Sequence, residues 1–275
     1  MKRALGFRSG AIEIKSAKEV DAMREVGRLA ADTLCKVGQL IRPGLTTEDI
    51  NTFVHRETLR LGATPAPLNY RGFPKSVCTS INEVVCHGIP GPRALQQGDI
   101  INVDVTHIYK GYFGDTSATF YVGEPSDEAK HVTEVSRRSL QLGLEQVRAG
   151  ARLGDIGAAI QEFAEGQGCS VVRDFVGHGI GRIFHDEPKV SHVGQWGRGA
   201  RLKAGMTFTI EPMINVGTYE VRILDDDWTA ITADGKLSAQ FEHTVLVTES
   251  GYEILTARAE PLQNSELFGE YFAAG

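Results

Sequence analysis

The sequence has no run approaching the roughly 18 apolar residues of a membrane span. It has no block of Lys or Arg, and its only cysteines are Cys35, Cys78, Cys86 and Cys169, with no C-x-x-C pair among them. The first absence excludes a membrane-spanning helix. The second, together with a formal net charge of -6, argues against a specific nucleic-acid binder, because neutralising a phosphate backbone needs a concentrated basic surface. The third leaves no disulfide framework and no Cys/His-rich zinc module. The N-terminal MKRALGFRSG carries basic residues with no apolar stretch behind them, so it does not read as a secretory signal. A reduced, cytoplasmic setting is the simplest expectation. What remains is ordinary: 275 residues, 41% hydrophobic and 23% charged, enough for one large domain with a sizeable core.

Within that ordinary composition one sparse pattern occurs twice. VVCHGIPGP, GDIINVDVT and GDTSATFYV in the first half are answered by FVGHGIGRI, AGMTFTIEP and QFEHTVLVT in the second. The duplication extends upstream, where IRPGLTTEDINTFV and VRAGARLGDIGAAI align without a gap, placing Asp49 over Asp155 and Ile50 over Ile156. The period is far longer than a solenoid repeat. It predicts a single domain over 1–275 with pseudo-two-fold halves of about 12–125 and 126–255, an N-terminal arm over 1–10 and a C-terminal tail over 256–275. The best cavity of such a fold lies where the halves meet.

Local signals fill in the elements. Ser16 and Glu19 form a capping box that opens a helix with Val20, Met23, Ala30 and Leu34 on one stripe. A second helix starts after Thr46 or Thr47, with Ile50, Phe53, Val54 and Leu61 inward and Gly62 near its end. The corresponding pair begins at Ser126 and at or just before Asp155. Strands are read over Ile100 to Tyr109 and Asp115 to Val122, joined through Lys110-Gly111, with Asp104 roughly opposite Asp115 on one face. Thr207, Thr209 and Glu211 continue this logic in the second half, as do Gln240, Glu242 and Thr244. The fold class is α+β, a curved antiparallel sheet with helices on its outer face.

Like charges facing each other on a sheet repel. Asp104, Asp115, Glu211 and Glu242 all sit in Val/Ile/Phe/Thr-rich runs, where a lone carboxylate is costly to desolvate. Acidic residues usually form solvated faces, a reading that suits Asp225, Asp226 and Asp227 but not these four. A His between two glycines, His178, has little packing reason, and the glycines admit close backbone approach to a ligand. His55, His107, His131, His192 and His243 read instead as surface or satisfied core residues. Four carboxylates with an imidazole exceed what a structural zinc takes. They suit two divalent ions, Mn, Fe(II), Co or Zn, that together activate water and polarise a carbonyl for hydrolysis.

The chain resembles the type I methionine aminopeptidases, metallopeptidases of the pita-bread fold, from about Ile12 to Leu255. The resemblance is carried by NYRGFPKSVCTSINEVVCHGIP, DVT followed by GDTSATF, GHGIG followed by FHDEP, GMTFTIEP, and LSAQFEHT, in family order. It implies that Asp104 chelates one metal, that Asp115 and Glu242 bridge both, and that His178 and Glu211 complete the second. It also makes Glu211 the proton acceptor from a bridging hydroxide's parent water, places His185 toward the scissile carbonyl and puts His87 near the leaving amide nitrogen. Tyr70, Phe73, Cys78, Phe184 and Trp228 would form the pocket for the substrate's first side chain, and His87 and His185 would bind the substrate beside it. Aromatic walls and a thiol suit a flexible thioether. Asn82 and Ser238 match positions that help bind a monovalent cation. Pro67 stands where bacterial members often carry Cys, and Phe73 where Tyr is common.

The implied activity is removal of the initiator methionine from nascent chains with a small second residue, by a cytoplasmic monomer in transient contact with the ribosome. Two other functions compete. A proline-directed peptidase of the same fold usually carries a large additional N-terminal domain, for which the leader before Ser16 leaves no room. A noncatalytic binding protein of this fold would have lost metal ligands, yet all five positions are filled.

Overall fold

Four helices and a set of short antiparallel strands make up residues 11–258, the part of the chain that the computed structural model describes. The arm expected over 1–10 and the tail beyond 258 lie outside the described residues. Helix α1 (Ala17–Leu40) begins where the Ser16–Glu19 spacing predicts. The Ser16 N–H and hydroxyl both donate to the Glu19 carboxylate, at 3.0 and 2.8 Å. Its predicted stripe of Val20, Met23, Ala30 and Leu34 is buried.

The sequence repeat reappears as matched helix starts. In α2 (Thr47–Arg60) the Asp49 carboxylate accepts the Thr46 N–H at 2.9 Å. After α3 (Asp127–Leu144), which Ser126 caps, comes α4 (Leu153–Gly166), where Asp155 accepts the Arg152 N–H at 2.8 Å. The next residue in each half, Ile50 or Ile156, is fully buried. The aligned Asp-Ile pair is therefore a cap followed by a core anchor, twice. Leu61, expected inward on α2, is instead its half-buried C-cap, because the chain turns at Gly62 with φ 70.

All strand pairs are antiparallel, but the single curved sheet expected from alternation is divided into four hydrogen-bonded sheets. The largest pairing is the hairpin of Ile100–Tyr109 with Tyr112–Tyr121. Lys110 (φ 51) and Gly111 (φ 79) make its two-residue turn, in the left-handed geometry that matches strand twist. This tight turn starts the second strand at Tyr112, earlier than predicted. It also sets Asp115 opposite Thr106 and Asp104 opposite Ser117, so the two acids share a face diagonally rather than directly. Cys78–Ile81 flanks the hairpin, with Cys78 beside Asp104.

A five-stranded sheet runs in the order Tyr252–Ile254, His243–Val247, Thr207–Ile210, Gly177–Gly179, Asp186–Val190. The halves are joined by a three-stranded sheet, in which Val84–Cys86 of the first half pairs with Ala230–Thr232, itself paired with Val221–Ile223. A further sheet holds Ser170–Val171, Met213–Asn215 and Ser238–Gln240. Two predicted alternating runs break at their acids. Glu211 falls between Ile210 and Met213, beside Pro212, which has no N–H to continue a ladder. Glu242 falls between Gln240 and His243, where its N–H turns to the Ser117 carbonyl at 3.0 Å.

Helix α1 packs on the hairpin, and α3 on the strands Met213–Asn215 and Ser238–Gln240. The approach of α1 is close enough that a Cβ on Gly27 would lie 2.3 Å from the Leu255 carbonyl. One apolar cluster takes in Ala30, Ile50, Val103, Phe120, Val132, Ile156, Phe208 and Phe241, residues from both halves. The chain is not yet a tail at 256–258. Thr256 is fully buried, its hydroxyl accepting the Thr244 N–H, and Arg258 reaches back to Ser117 and Glu242.

Candidate metal centre

The hairpin supplies Asp104 and Asp115, the strand Gly177–Gly179 supplies His178, and the two strand breaks supply Glu211 and Glu242. All five line one cavity. Asp115, His178 and Glu242 are buried, and each offers a ligand atom within 4.8 Å of the others. His178 Nε2 lies 3.6 Å from Asp115 Oδ2 and 3.7 Å from Glu211 Oε1. These separations are too long for hydrogen bonds and leave room between the groups.

Three of the five groups are held by neutral neighbours. Thr106 Oγ1 donates to Asp115 Oδ1 at 2.7 Å, leaving Oδ2 toward His178. Thr209 Oγ1 accepts the His178 N–H at 2.9 Å and donates to Glu211 Oε1 at 2.7 Å, while Gln240 Nε2 donates to Glu211 Oε2 at 3.3 Å. His178 Nδ1 lies 3.1 Å from the Gly179 carbonyl, which can only accept, so Nδ1 carries a proton and Nε2 is the nitrogen turned toward the carboxylates.

Charge makes this cluster costly as it stands. Burial, then the neighbouring Asp115 and Glu211 carboxylates, pushes Asp104 and Glu242 well above the ordinary carboxyl range. Burial raises Glu211 to about 7, against the opposing pull of His178 and Thr209. Burial alone would lower His178, but Asp115 and Glu211 outweigh it and raise the imidazole. Asp104 Oδ1 is buried and has no hydrogen-bond partner. An orphaned acceptor among mutually repelling acids fits a divalent cation, and the oxygen-rich donor set with one imidazole does not suit a structural zinc.

Tyr70, Phe73, Cys78, His87, Phe184, His185 and Trp228 line the same cavity. Tyr70 sits in a short turn between Asn69 (φ 65) and Arg71 (φ 51), and its hydroxyl meets His185 Nδ1 at 2.9 Å. The His185 ring stands 4.3 Å from that of His178 and 4.1 Å from that of Phe184. Trp228 meets Phe73 edge-on at 5.2 Å. The Asp225–Asp227 run is the turn that places it, with Asp226 accepting the Trp228 and Thr229 N–H groups at 2.9 and 2.8 Å. His87 is held in the left-handed region, φ 57, against Phe175. Burial lowers its imidazole to about 4 and holds that of His185 lower still, so both are neutral near pH 7. Burial likewise keeps the Cys78 and Cys86 thiols protonated.

Several wall residues were not read from the sequence: Cys86, Phe175, Met213 and Gln240 all face the cavity. Phe175 and Met213 lie beside the GHG and IEP motifs, which was the available signal. His192, read as a satisfied core residue, is buried and accepts the Glu211 N–H at 3.1 Å, so it holds the backbone of a lining residue. Gly177 and Gly179 do not face a ligand. Added Cβ atoms would stand 2.3 Å from the Thr209 carbonyl and 2.0 Å from that of Glu187, so these glycines serve strand approach. Asn82 and Ser238 come together through the backbone, the Asn82 carbonyl accepting the Ser238 N–H at 2.9 Å. The Asn82 side chain is engaged by Asp99 and the Ile100 N–H, and Ser238 Oγ is buried without a partner.

The sequence matches metallopeptidase family M24 over residues 21–249. It is 58% identical over 246 residues to methionine aminopeptidase A of Synechocystis sp., covering 89% of this chain and 97% of that protein. The crystal structure of methionine aminopeptidase from Rickettsia prowazekii superposes with a TM-score of 0.89 at 51% identity, over 90% of this chain and 100% of that one. The Xaa-Pro dipeptidase of Bacillus anthracis, at 22% identity and a TM-score of 0.74, covers 91% of this chain and 63% of its own and shares the pita-bread fold alone. With its carboxylate–imidazole cluster set between two duplicated halves, the chain belongs to metallopeptidase family M24, among the methionine aminopeptidases.

Proposed function

We propose that the chain is a methionyl aminopeptidase that removes the initiator methionine from nascent polypeptides whose second residue is small. The observation that carries this reading is the placement of Asp104, Asp115, His178, Glu211 and Glu242 in one cavity that aromatic rings and the Cys78 and Cys86 thiols also line. Two divalent ions bound there, Mn, Co, Fe(II) or Zn, would activate the attacking water and polarise the scissile carbonyl.

The chain's own groups do the rest. Tyr70, Phe73, Cys78, Phe184 and Trp228 exclude water from the first side chain and match the soft, flexible thioether. His185 is neutral; in the tautomer whose Nδ1 accepts from the Tyr70 hydroxyl, the ring proton sits on Nε2, available to the oxygen that gains charge. Glu211, each of whose oxygens has a single neutral donor, takes up the proton released in attack. His87, wedged by Phe175 and Trp228, stands beside the leaving amide and limits the bulk of the second residue. Ser238 Oγ, beside Asn82, offers an unclaimed oxygen to a monovalent cation.

The setting proposed is the cytoplasm, where the four buried cysteines, none of them in a disulfide, remain reduced. The chain acts there as a monomer with transient ribosome contact. No helix among the described residues is long and apolar enough to cross a membrane. The test is release of free methionine from Met-Ala-Ser and of leucine from Leu-Ala-Ser, by apo protein titrated with Mn(II), Co(II) and Fe(II). Metal-dependent cleavage of the Met peptide alone is expected. Metal binding without release from either peptide would overturn the reading.

A further inference from the structure

Behind the carboxylate cluster, on the side away from the cavity lining, lies a cation that the chemistry above does not use. Arg258 follows the last strand, and its guanidinium reaches under the metal centre. NH2 donates to the Ser117 carbonyl at 3.0 Å, to Thr116 Oγ1 at 3.1 Å and to the Glu242 carbonyl at 3.3 Å. NH1 donates to His243 Nε2 at 3.2 Å. Thr116 and Ser117 directly follow Asp115, and His243 directly follows Glu242. One side chain thus holds the backbone next to both carboxylates proposed to be shared between two ions.

The surrounding bonds make this a seam between the halves. Thr116 Oγ1 passes its own proton to the Glu242 carbonyl at 2.9 Å, the Glu242 N–H donates to the Ser117 carbonyl at 3.0 Å, and Thr244 Oγ1 donates to the Asp115 carbonyl at 2.8 Å. His243 Nδ1 bonds Thr256 Oγ1 at 2.9 Å. Since Nε2 accepts from a guanidinium, Nδ1 carries the only ring proton and His243 is neutral. Arg258 is therefore the only cationic side chain among these partners, all of which are buried. A guanidinium stays charged at neutral pH.

We propose that Arg258 is a positioning residue for the metal centre: it fixes the spacing of Asp115 and Glu242 across the junction of the two halves, and its charge offsets the acid cluster from the protein side. This rests on the reading of that cluster as a divalent-metal site. The two contributions separate by substitution, because Lys keeps the charge but loses the fork of donors, and Met keeps neither.

The test is calorimetric titration of full-length wild type, R258K and R258M with Mn(II), beside thermal unfolding of each apo protein and the visible spectrum of the Co(II)-loaded form. R258M is expected to melt cooperatively and bind Mn(II) about 10–100-fold more weakly, as when a residue supporting metal ligands is lost. R258K should fall between, with a shifted Co(II) spectrum. A folded R258M binding within twofold of wild type overturns the proposal. If R258M does not fold, R258K with wild-type affinity and spectrum overturns it equally. Failure of wild type itself to bind Mn(II) would instead sink the metal-site reading.

Discussion

The Tyr70 hydroxyl hydrogen-bonds His185 Nδ1 and so holds the imidazole in its orientation. With that hydroxyl removed, the ring loses this anchor and the fraction held toward the substrate falls. Tyr70→Phe is therefore expected to lower kcat about tenfold, the scale of one hydrogen bond worth roughly 1.4 kcal/mol, with KM for Met-Ala-Ser little changed. His185→Ala should lose more in kcat, and the double variant should be no worse than His185→Ala alone. Steady-state kinetics on the three variants checks this, and an additive loss would separate the two residues. Of this pair the sequence disclosed the members and not the bond, which spans 115 positions. His178 was legible because its flanking glycines are a local pattern, although their reason proved to be the Thr209 and Glu187 carbonyls rather than a ligand. His192 was not, since a buried His that accepts one N–H from Glu211 resembles any core histidine until the strands are placed.

At the scale of elements, what local chemistry writes was readable. Both Asp–Ile helix starts, the Ser16–Glu19 box and the Lys110–Gly111 turn are set by residues within a few positions of one another. The two caps should act alike and independently. Asp49→Ala and Asp155→Ala are each expected to destabilise the protein by about 1 kcal/mol, and the double variant by about the sum. Urea unfolding followed by circular dichroism measures all three. The breaks at Glu211 and Glu242 were hidden, because hydrophobic alternation runs straight through both and their causes are different in kind. Pro212 is a local cause and could have been weighed. The Glu242 break depends on the Ser117 carbonyl from the other half, which no window of sequence contains. The register of the hairpin shows the same limit in milder form: the turn residues were identified, but pairing Asp115 with Thr106 required the turn to hold two residues and no more.

For the whole molecule, the duplication was the most informative sequence feature, since it foretold a cavity between halves and the residues of each half that face it. Metal should therefore stabilise the protein as a unit. An ion that binds only the folded state at a hundred times its Kd adds about 2.7 kcal/mol, so Mn(II) is expected to raise the melting temperature of wild type and leave that of Asp115→Ala nearly unchanged. Scanning calorimetry with and without Mn(II) decides it; an equal rise in both would remove Asp115 from the ligand set. The last described residues were the least legible part at this scale, because Thr256 and Arg258 carry no periodic or motif signal and act through strands far from them in sequence. The division of the proposed ligands between halves has one more consequence. Asp104 and Asp115 lie on one side of the 123–126 connection, and His178, Glu211 and Glu242 on the other, so a chain nicked there would leave two fragments that each hold an incomplete set. Metal uptake would then report their reassembly, and the centre would serve as a built-in gauge of fragment complementation.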